Sequence, residues 1–254
     1  MLLVLDVGNT NISLGLFEGE GLLYHWRIGS RREGTPDEYA VLLRNLLEGV
    51  KVPLDAVSAV MMASVVPPLD GTLEEMVRGL LKLTPLTVGP GTKTGMPVLY
   101  DNPREVGADR IVNAVATFAQ YGGPAIVVDF GTATTFDAVS ARGEYLGGVI
   151  APGIGISAEA LFERAAKLPR IEITRPRGVI GKNTVASMQS GLFYGYLALV
   201  DGVVRRMQQE MGGPTVVVAT GGLAHLILAD SEVVDRVDPL LTLTGLRLLY
   251  ERNR

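Results

Sequence analysis

The chain has 254 residues, 47% of them hydrophobic, enough for one large domain or two of ordinary size around a substantial core. A formal net charge of -4 and the lack of any long run of Lys and Arg argue against the basic face that neutralises nucleic-acid phosphates, so no nucleic-acid partner is expected. With no cysteine there is no disulfide, no thiolate nucleophile and no Cys-ligated zinc, and the two histidines, His25 and His225, are too isolated for a metal site and read as structural.

The N-terminus carries no basic region before its apolar stretch, and Asp6 interrupts that stretch far short of a secretory signal. No apolar run approaches the ~20 residues of a membrane span, so a cytoplasmic protein without a membrane partner is expected. Residues 2–17, "LLVLDVGNTNISLGLF", read as strand, Gly-Asn turn and strand, and "EGEG" at 18–21 turns the chain into a third strand, "LLYHWRI". In "TPDE", Thr35 can cap a helix, Pro36 fits its first position and Glu38 can complete a capping box. Tyr39, Leu42, Leu43, Leu46 and Leu47 then follow helical spacing. The run 57–66 reads as a buried strand ended by Pro67-Pro68, residues 73–83 as a helix, and "PLTVG" as the last strand of a β-β-β-α-β-α-β unit.

The same order restarts at Ala125. "AIVVDFGTATTFDAVSARGEYLGGVIAPG" supplies three strands, a long helical region runs to about Met211, "TVVVATGG" is a further strand, and helical pattern resumes to the end. Aligning "VLDVGNTN" with "VVDFGTAT" sets Asp6 on Asp129 and Gly8 on Gly131, which reads as duplication of a domain-sized unit. Taken singly, each acid-Gly pair is an ordinary turn. The matched strand order around both favours duplication.

Two such turns in two similar domains suit a nucleoside triphosphate with a cation. Small residues let backbone N–H groups approach phosphate oxygens, Asn and Thr add donors, and the carboxylates can hold metal or metal-bound water. Neither a G-x-x-x-x-G-K-[ST] loop nor a strand-linked G-x-G-x-x-G is present. "GPGTKTG" at 89–95 has the wrong spacing for either and reads as a mobile connector.

The pair "DVGNTN" at 6–11 and "DFGTATT" at 129–135 resembles the phosphate-binding pair of the actin, hexokinase and heat-shock ATPase superfamily. Within it, "LYDNPREVGADR" at 99–110, "GGVIAPG" at 147–153 and "GKNT" at 181–184 resemble, in order across nearly the whole chain, the type III pantothenate kinases. The resemblance implies an α/β protein of two duplicated ribonuclease-H-like domains with an interdomain nucleotide cleft. Residues 1–120 would carry the first phosphate turn and the pantothenate motif, and 121–254 the second turn and a dimer helix. It implies phosphorylation of pantothenate to 4'-phosphopantothenate by ATP, the first step of coenzyme A synthesis. ATP would be bound by Asp6, Val7, Gly8, Asn9, Thr10, Asn11, Ile12, Ser13 and Thr132, with Asp6 near magnesium. Asp129 would hold a monovalent cation, potassium or ammonium. Pantothenate would meet Tyr100, Gly107, Ala108, Asp109, Arg110 and Thr184, with Asp109 as proton acceptor and Thr184 coming from the partner in a homodimer.

The residues themselves agree with the "GADR" assignment. Pro103 followed by helical spacing at Val106, Ile111, Ala114, Val115 and Phe118 sets Gly107 to Arg110 near a helix start, where the N-terminus and Arg110 would attract a carboxylate. On pattern alone Asp109 with Arg110 reads equally well as a surface ion pair. Tyr100 reads also as a packed aromatic, and Thr184 as a helix cap. Gly191 and Gly195 suit close helix packing, which contacts within one chain would satisfy, and "LFYGYLALV" at 192–200 has more apolar surface than one stripe needs. "TGG" at 220–222 resembles an adenosine-side turn. Two other readings remain: a non-catalytic relative of the same fold, and a kinase or phosphohydrolase of the superfamily acting on a sugar, acetate or polyphosphate.

Overall fold

In the computed structural model, which describes residues 1–254, β1 (Leu2–Val7), β2 (Asn11–Glu18) and β3 (Gly21–Gly29) form the expected antiparallel meander. Helix α1 (Pro36–Gly49) starts at the expected capping box, with Thr35 accepting from the Glu38 backbone N–H and Glu38 accepting from that of Thr35. Its Tyr39, Leu43 and Leu47 are buried, whereas Leu42 points outward.

β4 (Ala59–Ser64) is shorter than the 57–66 run, and the two prolines do a different job from the one expected. They open α2 (Pro67–Leu81) instead of merely ending the strand, because their fixed φ and missing N–H suit a first helical turn. β5 is only Leu86–Thr87. The sheet order is β3-β2-β1-β4-β5, with β1 parallel to β4 and β4 to β5. The helices α1 and α2 bury Leu43, Leu47, Leu73 and Val77 against Leu3, Leu5, Val60 and Met62 of this sheet.

After α3 (Ala108–Tyr121) the topology repeats: β6 (Ala125–Phe130), β7 (Ala133–Val139) and β8 (Tyr145–Pro152) form a second meander. The helical region is two helices, α4 (Ile154–Arg164) and α5 (Thr184–Glu210), separated by an irregular stretch. β9 (Val216–Gly221) runs parallel to β6, as β4 does to β1. The remainder is not all helix: α6 (Ala224–Leu228) and β10 (Arg236–Val237) precede α7 (Leu241–Asn253). The second sheet, β8-β7-β6-β9-β10, repeats the first, and Phe193, Tyr196 and Val200 of α5 pack on Ile126, Val128 and Phe136 of it.

Neither compact unit is continuous in sequence. One comprises Met1–Gly95, Asn102–Ala116 and Thr242–Arg254, the other Met96–Asp101 and Thr117–Leu241. In the first, α7 returns to the N-terminal sheet: Leu243 lies against Gly15, and Gly245 lets the helix approach the carbonyl of Val112 so closely that a Cβ would clash. The 89–95 segment is tied to the same helix, Lys93 N–H donating to Asn253 Oδ1 at 2.8 Å and Asn253 Nδ2 to the Lys93 carbonyl at 3.0 Å.

Candidate active site

The first Asp-Gly turn, expected to bind phosphate, is held by its own hairpin. Asp6 pairs with Ser13 and Val7 with Ile12 across the ladder, and the Gly8 N–H donates to the Asn11 carbonyl at 3.0 Å. Asn9, Thr10 and Asn11 are exposed, and Asp6, Gly8 and Ser13 are half-buried. Val7 and Ile12 send their side chains into the core, so only their backbone is available to a ligand. Sequence reading missed the support beneath this turn: Ser30 Oγ donates to the Gly8 carbonyl at 2.5 Å, the Ser30 N–H to the Thr10 carbonyl at 3.0 Å, and Arg32 Nη2 to Asn9 Oδ1 at 3.0 Å. The pairing of Asn11 with Gly29 brings them there. A cavity of about 520 Å³ lies beside the turn, lined by Asn9, Ser30, Arg31, Arg32 and Glu33 among others.

In the same unit, Gly107 precedes α3, and Asp109 and Arg110 occupy its first turn. The Arg110 N–H donates to Asp109 Oδ1 at 2.8 Å. A Cβ on Gly107 would sit 2.5 Å from that oxygen, so a side chain there would displace the carboxylate from this position. Burial pushes the Asp109 carboxyl above its ordinary value, while the hydrogen bond from the Arg110 backbone and the Arg110 charge pull it down. Arg110 is only 6% exposed, which removes the surface ion pair as an explanation. Val65 ties this region to the phosphate turn: its N–H donates to the Val7 carbonyl at 3.0 Å, and its side chain stands 3.6 Å from where a Gly107 Cβ would be.

The second turn is in the other unit and is one residue tighter, Phe130 pairing with Thr134 and the Gly131 N–H donating to the Ala133 carbonyl at 3.0 Å. Asp129 is half-buried and Thr132 exposed. Two glycines hold this turn in place. Gly153, the N-cap of α4, donates its N–H to the Thr132 carbonyl at 3.1 Å, and a Cβ on it would collide with that oxygen. Gly221 of the "TGG" segment has φ +95, and a Cβ there would lie 2.7 Å from Asp129 Oδ1. Tyr100 belongs to this unit too, half-buried with its ring near that of Tyr145. The 99–110 motif is therefore shared by the two units.

Thr184 is exposed at the first position of α5, but the cap is Asn183, whose Oδ1 accepts from the Ala186 N–H at 2.8 Å. A methyl group at Gly191 or Gly195 would meet nothing within 4 Å, so intrachain packing does not account for these glycines. His25 and His225 are exposed, not core residues. No cluster of three or more His, Asp or Glu forms, so a cation at either turn would draw most of its ligands from neutral oxygens, phosphate or water.

In fold the chain is similar to kinases. It matches the ROK family glucokinase from Streptomyces griseus (TM-score 0.56, 12% identity, covering 97% of this chain and 98% of that one). It also matches the inorganic polyphosphate/ATP-glucomannokinase from Arthrobacter (TM-score 0.51, 12% identity, covering 100% and 99%). Duplicated sheets with an Asp-Gly turn after each first strand define the class by fold, the two-sheet α/β fold that these kinases share.

Sequence narrows this further. The family model for type III pantothenate kinase matches residues 2–206. Type III pantothenate kinases of Moorella thermoacetica and Koribacter versatilis are 61% and 60% identical to this chain, which is covered completely in both, with 100% and 96% of those proteins covered. The chain belongs to the type III pantothenate kinase family, and it is an enzyme of that kind.

Proposed function

We propose that the protein transfers the γ-phosphoryl group of ATP to the primary hydroxyl of pantothenate, giving 4'-phosphopantothenate for coenzyme A synthesis. The observation that carries this reading at the site is the half-buried Asp109 carboxylate, in the first turn of α3 beside Arg110 and linked through Val65 to the first Asp-Gly turn. Residues 1–120 supply that turn and the acid; residues 121–254 supply the second turn and α5.

In this proposal the Asp6–Ser13 hairpin binds ATP through the backbone of Val7, Gly8 and Ile12, the side chains of Asn9, Thr10, Asn11 and Ser13, and Asp6 close to magnesium. Thr132 adds a phosphate contact. Magnesium bound by phosphates, waters and one carboxylate would neutralise charge in the transferring group, the usual arrangement for this ion. The Asp129 carboxylate, kept accessible by Gly221, suits a monovalent cation, potassium or ammonium. The half-buried start of α3, with Gly107, Ala108 and Arg110, receives the pantothenate carboxylate. Asp109 takes the hydroxyl proton as the oxygen attacks; positioning and charge neutralisation supply most of the acceleration.

The proposal includes a homodimer in which Thr184 reaches the partner's pantothenate, with no nucleic-acid or membrane partner. Open space over Gly191 and Gly195 and the exposed Val179, Ile180 and Val185 flanking Thr184 support it. We place the enzyme in the cytoplasm; no helix is long and apolar enough to cross a membrane. The test is Asp109→Asn. Turnover should fall about 10²- to 10⁴-fold with the fold intact, and wild-type turnover should rise when sodium is replaced by potassium or ammonium. Near-wild-type rates from Asp109→Asn would remove Asp109 as the base, and equal rates in all three cations would remove the cation role of Asp129.

A further inference from the structure

Asp137 and Tyr145 are both completely buried, and neither has a place in the mechanism above. The Tyr145 hydroxyl donates to Asp137 Oδ1 at 2.7 Å, and Thr135 Oγ1 donates to Asp137 Oδ2 at 3.4 Å. Thr135 pairs directly with Asp129 and Asp137 with Val127 across the β6–β7 ladder, so Asp129, Thr135 and Asp137 share one face of the sheet. A line of polar groups thus crosses this face from the second phosphate turn to Tyr145.

At its far end Tyr145 organises the segment that carries Tyr100. The Tyr145 N–H donates to the Pro97 carbonyl and its carbonyl accepts from the Leu99 N–H, both at 2.8 Å, so one residue grips the chain on both sides of Val98. Its ring meets that of Tyr100 with centroids 6.3 Å apart and planes inclined at 56°. Gly147, at φ +123, faces the other part of the Tyr100 ring, where a Cβ would already be in contact at 3.5 Å. Phenylalanine would fill the Tyr145 site equally well as far as packing goes. Burying a carboxylate to hold its hydroxyl costs desolvation, and the return is a fixed ring orientation.

We propose that Asp137 and Tyr145 are positioning residues for pantothenate: they act through Tyr100, holding its ring and backbone in the orientation that receives the substrate. The inference rests on the pantothenate reading of the site. The Tyr145 hydroxyl reaches toward the second turn through Asp137 and Thr135, whereas its backbone and ring meet the Tyr100 segment directly, so its signature falls mainly on pantothenate.

Steady-state kinetics of the full-length enzyme with Tyr145→Phe, Tyr100→Ala and the double variant test it, at a temperature where melting curves show all to be folded. Tyr145→Phe should raise the pantothenate KM about tenfold, leave the ATP KM unchanged, and have no further effect in the Tyr100→Ala background. An unchanged pantothenate KM, an equal rise in both KM values, or full additivity with Tyr100→Ala would overturn it, because a merely structural role gives one of those results. Should Tyr145→Phe not fold, Tyr145→Phe with Asp137→Asn, which replaces the carboxyl group by its neutral isostere, is read in its place. Absence of pantothenate turnover in the wild type would overturn the substrate reading itself, and this inference with it.

Discussion

Asp109 combines two demands that pull against each other. Burial raises its pKa, which makes it a better proton acceptor when ionised but penalises the charged form at neutral pH. Because the folded-state value lies above the unfolded one, the folded protein holds more protons than the unfolded chain between the two values, and stability falls as pH rises across that interval. Asp109→Asn should therefore melt at a higher temperature than wild type near pH 7, with the difference closing as pH falls below the ordinary carboxylate range. The acid limb of kcat/KM in the wild type should lie above that range too. Equal melting temperatures at pH 7 and an acid limb near pH 4 would contradict the burial argument. Gly153 makes a second prediction at this scale. Its φ of -71 is open to any residue, so only space forbids a side chain, and a methyl group would drive into the carbonyls of Thr132 and Gly131. Gly153→Ala should raise the ATP KM about tenfold while leaving the pantothenate KM within about twofold, since the displaced turn carries Thr132.

At the scale of elements, the local signals are strong wherever one short stretch decides the outcome. The meander, the Thr35 capping box and the Gly107 to Arg110 helix start all arise from adjacent residues. Pro67-Pro68 is ambiguous in sequence because the same dipeptide that ends a strand also suits a helix opening, and the contacts of the downstream residues decide between them. Asn183 and Thr184 are both capping types; only the extended backbone of Asn183 settles which one caps. The helical pattern of α7 is legible, whereas its destination is not, because the contacts of Leu243 with Gly15 and of Gly245 with Val112 join distant residues. Ser30, Arg32, Asp137 and Tyr145 escape for the same reason: each gains its role from a partner across a ladder or a turn. Helix α5 offers the test at this scale. A Cβ at Gly195 would have open space around it, so Gly195→Arg should leave the secondary structure intact by circular dichroism, yet sedimentation should show a monomer with a raised pantothenate KM. An intact dimer would move the interface elsewhere.

For the whole molecule, the decisive feature is repetition with specialisation. Both sheets share strand order and both first strands carry Asp as the next-to-last residue before a glycine turn, but the surroundings differ: the first turn is braced by Ser30 and Arg32, the second by Gly153 and Gly221. The duplicated frame is common to sugar kinases, so the frame alone does not choose a substrate. In the proposed site that choice falls to Tyr100 and the start of α3. The most direct measurement is therefore product formation from Mg-ATP with pantothenate, glucose, mannose, acetate and polyphosphate supplied singly, detected by mass and by release of ADP. The expected result is 4'-phosphopantothenate and no other phosphorylated product above background. A phosphorylated sugar, acyl phosphate or lengthened polyphosphate in place of it, or no product from folded protein with any acceptor, would contradict it.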